Sequence, residues 1–357
     1  MNEAGDVSAV VVNHNGGQRV LRCLHALSDQ EPRFAEIIVV DNASVDDSAR
    51  SIAESFPAVR IERLSENRGP SPARNAGLRL ADSPLVLLID DDVYLERGGL
   101  AKLLDRFRSD GPALVCPRVV YYPGPEIIQC DGADAHFLGT MRLRHGELPL
   151  AAAPQAAAEV GSAISACLLL QREVALEAGG FDEDYFIYVE DHEFAYRLRA
   201  LGHRILCEPA AVALHDRRSG VPGLSYRGEA AYPARRFYLT TRNRLTTVLI
   251  HYRLRTLIVA LPALAAHELA ASVIALARGW LRHWLRAWVW QFKTRKAIAR
   301  KRSRIQTLRV VRDRSLLSGG PIPMAPGFIR SPVLRGLAAF FSAGLNGYWR
   351  LTRRLIG

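Results

Sequence analysis

The sequence has no CxxC pair: its five cysteines, Cys23, Cys116, Cys130, Cys167 and Cys207, are odd in number and stand apart. A disulfide scaffold and a structural zinc site are therefore both unexpected, and a reducing cytoplasm fits. No GxGxxG follows the first apolar run and no Walker A lysine motif occurs, which removes the common dinucleotide and P-loop signatures. GxSxG and HExxH are missing too, and with them the marks of α/β-hydrolase and zincin chemistry. MNEAGDVSAVVVN has no basic stretch before its apolar run, so no signal peptide is expected. Internal repeats and long low-complexity segments are absent.

Acidic residues become scarce after residue 234. Residues 235–357 carry 24 basic and 2 acidic side chains, against 23 and 34 in residues 1–234, so the overall +11 joins an acidic part to a strongly basic one. All five tryptophans, Trp280, Trp284, Trp288, Trp290 and Trp349, lie in the basic part. With 49% hydrophobic and 23% charged residues, the profile is globular, and the length allows one large or two smaller domains. The expected division is a domain over residues 1–234 and a separate region over 235–357.

In the acidic part, short β-branched runs alternate with helical segments. Residues 7–13, 36–41, 59–64 and 85–90 read as strands, and 19–27, 46–55 and 74–80 as helices. Near-continuous apolar strands between helices predict an α/β fold with a mostly parallel sheet and right-handed crossovers. Asn13-His14-Asn15, Asp41-Asn42 and Asp90-Asp91-Asp92 each stand where a strand runs out. Ligands of open α/β sheets bind outside the carboxyl ends of the strands, so three polar clusters there predict a site. Further strands are expected over 113–122, 163–171 and 204–213, and helices over 173–178 and 190–201. The globular core is expected to end between Asp216 and Gly223.

Three adjacent carboxylates repel one another unless a cation or donors compensate. At a strand edge, Asp90-Asp91-Asp92 is either a solvated turn or a set of hard oxygen ligands for Mg²⁺ or Mn²⁺ with a phosphate substrate. Alternation would put Asp90 and Asp92 on one side and Asp91 on the other. A second acidic cluster runs from Gly180-Phe181-Asp182 to Tyr188-Val189-Glu190-Asp191, where a helix begins. The helix macrodipole alone favours acids there. The functional reading gives one carboxylate the task of removing a proton from an acceptor hydroxyl. His215, at the end of an apolar run, matters as a metal ligand only if the fold brings it near Asp92.

Taken in order, these segments resemble family 2 glycosyltransferases of the GT-A fold, and within them rhamnosyltransferase-type enzymes of bacterial cell-envelope polysaccharide assembly. The resembling stretches are VSAVVVNHNG with LRCLHALSDQ, IIVVDNASVDDS, ENRGPSPARNAGLRLA, LLIDDDV at the DxD position, GGFDEDYFIYVEDHEFAYRLRALGHRI, and EPAAVALH. The resemblance spans roughly residues 7–250. It implies inverting transfer from a nucleotide diphosphate sugar of dTDP or UDP type to a lipid-linked or glycan acceptor. By it, Asn13, Asp41, Asn67 and Arg74 bind the nucleotide, and Asp90 and Asp91 contact the ribose or sugar. Asp92 and His215 hold Mg²⁺ or Mn²⁺, and Asp191 is the general base with Glu190 as its neighbour. The nucleotide-binding half then takes residues up to about 95 and the acceptor half 96–234. The competing reading is a non-catalytic membrane- or polyanion-binding protein with a relic nucleotide pocket; a nucleotidyltransferase is a weaker third.

The basic region reads as membrane-associated and helical. Residues 256–277 are apolar but carry Pro262, His267 and Glu268, so an in-plane or bundled helix is expected in place of a span. Trp280, Trp284 and Trp288 recur at four-residue spacing with Arg282, Arg286 and Lys293 opposite, the pattern of an interfacial amphipathic helix. Residues 293–304 hold seven cations in twelve positions, which anionic headgroups attract. No nucleic-acid module accompanies them, so the expected partner is an anionic membrane surface and not nucleic acid. The expected location is the cytoplasmic face of the inner membrane, peripheral or monotopic.

Overall fold

The computed structural model describes residues 6–124, 126–216, 232–324, 328 and 331–357. The chain forms two compact units. The first takes the chain up to Ala133, Leu143–Leu198, and the segment from His203 onward that holds the long strand ending at Asp216. The second takes Asp134–Arg142, Arg199–Gly202 and the helices that begin at Ala234. Most of the expected core boundary at 216–223 lies outside the described residues.

The first unit opens with β1 (Val7–Asn13), α1 (Gln18–Ser28), β2 (Glu36–Asp41), α2 (Ser48–Ser55), β3 (Arg60–Arg63), α3 (Pro70–Leu80) and β4 (Leu85–Asp90). These strands are parallel, in the order β4-β1-β2-β3. Every residue of β1 is buried, as a strand covered on both faces requires. Helix α1 buries Val20, Cys23, Leu24 and Leu27, an i, i+3, i+4, i+7 stripe, against one core with Val11, Val39 and Leu87.

Beyond β4 come β5 (Val93–Leu95), α4 (Gly99–Asp110), β6 (Leu114–Tyr122), β7 (Ile128–Cys130), β8 (Ala133–His136), β9 (Thr140–Leu143), β10 (Ala158–Glu159), β11 (Cys167–Gln171), α5 (Arg172–Glu177), α6 (Glu190–Ala200) and β12 (Ile205–Asp216). Strand β11 enters antiparallel between β4 and β6, while β12 runs parallel to β6, so the sheet is mixed. β12 reaches three residues past its expected end, paired with β6 through Asp216 and, over Ala213–His215, with β5, a strand the sequence pattern does not announce. β8 and β9 form a separate hairpin. All five cysteines are buried and unbonded.

The second unit carries α7 (Ala234–His251), α8 (Leu254–Ala277), α9 (Leu281–Lys293), α10 (Arg295–Leu308), α11 (Asp313–Leu316) and α12 (Pro332–Thr352). By length and composition, α8 is the one helix among the described residues that could cross a membrane. Its central Glu268 is buried and pairs with Arg244 of α7. The indoles of Trp284 and Trp288 donate to Glu268 Oε2 at 3.2 and 3.1 Å. Trp284 and Trp288 of α9 therefore reach a buried carboxylate through their indole N–H groups, while Trp288 and its neighbours Leu285, Val289 and Phe292 stay exposed. A carboxylate taken out of water needs donors, and indole N–H groups supply them.

Gly77 marks how closely α3 lies on the sheet: a Cβ there would sit 2.1 Å from Val10 Cγ1. Although alanine is the better helix former, Gly77→Ala is expected to destabilise the first unit by about 1–3 kcal/mol through overpacking. Urea unfolding checks this, and Val10→Ala in the same chain should recover part of the loss.

Candidate active site

Parallel pairing places the carboxyl ends of three strands in one row. The ladder sets Asn13 opposite Asp41 and Val12 opposite Asp90. Asn13 and Asp41 are fully buried. Asn13 Nδ2 donates to Asp41 Oδ1 at 2.8 Å and to the hydroxyls of Ser44 and Ser48 at 3.1 and 3.0 Å, while Asn13 Oδ1 has no partner among the described residues. Asp41 also receives the Ser44 amide at 3.2 Å and lies 3.4 Å from Arg63 Nε. Gly16 keeps the space beside this pair open, since a Cβ there would lie 2.4 Å from Asn13 Oδ1 and 2.9 Å from Asp91 Oδ2.

Strand β4 stops at Asp90, and the three aspartates part ways in place of alternating. Asp90 Oδ1 accepts from Arg74 Nη2 at 2.8 Å. Asp91 Oδ2 accepts from the His14 amide at 2.9 Å. Asp92 Oδ1 lies 3.5 Å from His215 Nε2. The β5–β12 ladder sets His215 opposite Val93, and the Asp216 amide donates to the Asp92 carbonyl at 2.8 Å, so the distant histidine reaches the acidic turn through backbone pairing. The other ring nitrogen, His215 Nδ1, lies 2.8 Å from Gln129 Oε1 on β7. Burial and the Asp92 charge push the Asp91 carboxyl up to about 8. Burial also raises Asp90, though Arg74 opposes the shift.

Arg74 is 3% exposed and links the two acidic clusters. Its Nη1 lies 3.4 Å from Glu190 Oε1, and its guanidinium stands 5.4 Å over the Phe181 ring. Burial works against its charge, but Asp90 and Glu190 outweigh that and hold it firmly protonated. Burial and the neighbouring Asp191 push Glu190 up to about 8, and burial raises Asp191 while the His192 amide opposes it. Glu190 is buried and its Oε2 has no hydrogen-bond partner among the described residues, whereas Asp191 is partly exposed and accepts the His192 amide at 2.7 Å.

Several supporting residues have no signal in composition or spacing. Asn75 pins the loop before α6: its Nδ2 donates to the Phe181 carbonyl at 2.8 Å and its Oδ1 accepts the Phe181 amide at 2.7 Å. Phe186, Tyr188 and Val189 all have φ between 64° and 71°, a costly backbone for such side chains just before the acidic pair. Gly69 leaves room for that loop, since a Cβ there would meet the Phe186 carbonyl oxygen at 1.9 Å. Asn67 is exposed, and its Oδ1 accepts from Asn42 Nδ2 at 3.1 Å and from the Gly69 amide at 2.9 Å, which holds the entry to α3.

A carboxyl whose folded value lies above its unfolded one binds its proton more tightly in the fold. Glu190 thus contributes stability fully below the ordinary value of 4.5, and that contribution is lost as pH rises through about 8. Glu190→Gln is expected to raise Tm by about 2 °C at pH above 8 and to leave it unchanged near pH 4.5. Calorimetry at both pH values checks the difference.

The glycosyl transferase family 2 profile matches residues 8–128. The chain is 30% identical to the succinoglycan biosynthesis protein ExoU of Rhizobium meliloti (strain 1021), over 39% of this chain and 40% of that protein. It is 28% identical to the N-acetylglucosaminyl-diphospho-decaprenol L-rhamnosyltransferase of Mycobacterium tuberculosis (strain ATCC 25618 / H37Rv), over 58% of this chain and 75% of that protein. The chain thus spans about two-fifths of the length of the first relative and three-quarters of the second. In fold it is similar to GalNAc-T7 solved with UDP, GalNAc and Mn²⁺, with TM-score 0.54 and 18% identity over 68% of this chain and 48% of that one. The Asn13–Asp41 edge, the Asp90–Asp92 turn and, from Ser8 on, the parallel strands β1 to β4 fall within the matched segment, and residues 8–128 are a glycosyl transferase family 2 domain in a chain of GT-A fold.

Proposed function

We propose that this chain transfers a rhamnose-like hexose, with inversion, from a UDP- or dTDP-linked donor to a lipid-linked or glycan acceptor. The observation that carries the reading is Arg74, buried between Asp90 and Glu190, which seats a proton-accepting pair beside the predicted nucleotide edge. Asn13, Asp41 and Asn67 line the nucleotide end, and Asp90 and Asp91 face the ribose or sugar. Residues 1–234 form the catalytic domain in this reading, with its nucleotide half ending near residue 95, and residues 235–357 attach it to the cytoplasmic face of the inner membrane.

The chemistry is a single displacement. The acceptor oxygen bonds to the anomeric carbon, the bond from that carbon to the diphosphate oxygen breaks, and the acceptor proton passes to Asp191. Glu190 is committed to Arg74, while Asp191 is partly exposed, so Asp191 is the carboxylate left to receive it. Burial raises its pKa above that of an ordinary aspartate, which makes it a stronger proton acceptor. Asp92 and His215 set an oxygen and a nitrogen donor 3.5 Å apart, a two-ligand seat for Mn²⁺ or Mg²⁺ whose remaining positions fall to diphosphate and water. No cluster of three or more metal-binding side chains occurs among the described residues. Bound there, the cation would neutralise the charge of the departing nucleoside diphosphate.

Asp191→Asn is expected to lower kcat by about 10²–10⁴-fold while donor affinity, read by calorimetry, stays unchanged. Retained turnover would move the base to Glu190. Asp92→Ala should abolish any Mn²⁺-dependent thermal shift with UDP or dTDP, and a full shift in that variant would place the cation elsewhere.

A further inference from the structure

Besides the part-exposed Trp288 face of α9, the second unit turns two further apolar surfaces outward. On α8, Leu254, Ile258, Leu261, Leu269 and Leu276 fall on one stripe at helical spacing, and each is between 62% and 67% exposed. On α12, Val333, Leu337, Phe340 and Leu351 share a stripe and are between 60% and 81% exposed. The two helices are tied together by the Tyr348 hydroxyl, which donates to the Val259 carbonyl at 2.6 Å. Contiguous apolar exposure on this scale marks a surface that something covers.

The charges say what covers it. From α7 to Gly357 the only acidic residues are Glu268 and Asp313. Both are buried, and they pair with Arg244 and Arg309 respectively. Every exposed side-chain charge on these helices is therefore positive, including Arg255 and Arg278 at the two ends of α8 and Arg350 and Arg353 at the end of α12. A second copy would bring like charge against like charge. An anionic lipid surface complements both the apolar stripes and the cations at their ends. The opposite side of α8 is committed to protein through Thr256, Ala260 and Ala263, and the buried Glu268 borders the exposed stripe, which suits a helix lying in an interface better than one surrounded by lipid.

We infer that α8 and α12 form a monotopic surface that seats the second unit in one leaflet of an anionic membrane. This deepens the membrane placement proposed above and is independent of the transfer chemistry.

Flotation of the full chain with phosphatidylcholine vesicles, with and without phosphatidylglycerol, tests it. Binding is expected only with the anionic lipid and is expected to weaken at high salt. Leu261→Glu with Leu269→Glu, or Leu337→Glu with Phe340→Glu, should each reduce partitioning at least about tenfold. These positions are exposed, so the fold should survive, and an unchanged donor-induced thermal shift would show that it has. Parent-like flotation of either variant overturns the inference. Failure of the parent itself to bind donor would count against the transfer reading alone.

Because all native cysteines are buried, an environment-sensitive dye on Leu261→Cys or Phe340→Cys reports locally. A blue shift on vesicles at both positions, and none at the control Arg50→Cys, is the expected result; an aqueous spectrum at both overturns it. Arg255→Cys and Arg278→Cys should both stay open to an impermeant reagent, and protection of one end would mean a span. Self-association without vesicles that Leu261→Glu abolishes would make a second copy the occupant instead.

Discussion

Burying Arg74 puts a permanent cation among Asp90, Glu190 and Asp191, carboxylates that would otherwise repel one another in a region shielded from water. The guanidinium fork suits this task because its separate N–H groups reach Asp90 on the sheet edge and Glu190 at the start of α6 simultaneously. Arg74 opposes the rise in pKa that burial imposes on Asp90 and Glu190. Joined through one arginine, the Asp90 cluster and the Glu190–Asp191 cluster share a single charge balance. The loop that delivers Glu190 is bent through residues with positive φ, and the Asn75 and Gly69 contacts hold it there. Removing the cation would leave buried carboxylates uncompensated, a change of the kind that costs about 3–5 kcal/mol.

The first half of the fold was legible because its signals are local. Apolar runs such as VSAVVVN and LVLLID bury both faces, and the polar residues that end them fall on the carboxyl edge of a parallel ladder. Asp90, Asp91 and Asp92 could be singled out from sequence, but their separate partners could not. Arg74, the His14 amide and His215 come from elsewhere in the chain, and only tertiary pairing assigns one to each. Gln129 and β5 left no trace in the pattern, since a three-residue strand and a lone glutamine have no period to read. The antiparallel entry of β11 was equally hidden, because an apolar strand carries no mark of its direction.

The second unit teaches a different lesson about amphipathic patterns. Periodicity placed three tryptophans on one face of a helix, and that face is real, but a stripe at helical spacing does not say which medium it meets. Glu268 decides it. One carboxylate in the middle of an apolar helix draws Arg244 and two indoles toward itself, and the residues left outside become the free surface. The costly residue of a spanning helix becomes the organising residue of a bundled one.

The short β5 strand has a consequence for how the protein comes into being. Asp92 and His215 sit far apart in the first unit's sequence and meet only where β12 zips against β5. Synthesis delivers β1, β2 and β4 early, so the edge that holds Asn13, Asp41 and Asp90 can close while β12 is still unmade. The histidine arrives last. A nascent chain thus holds the Asn13, Asp41 and Asp90 edge well before it can assemble the Asp92–His215 pair, and translation itself separates these two groups of residues in time.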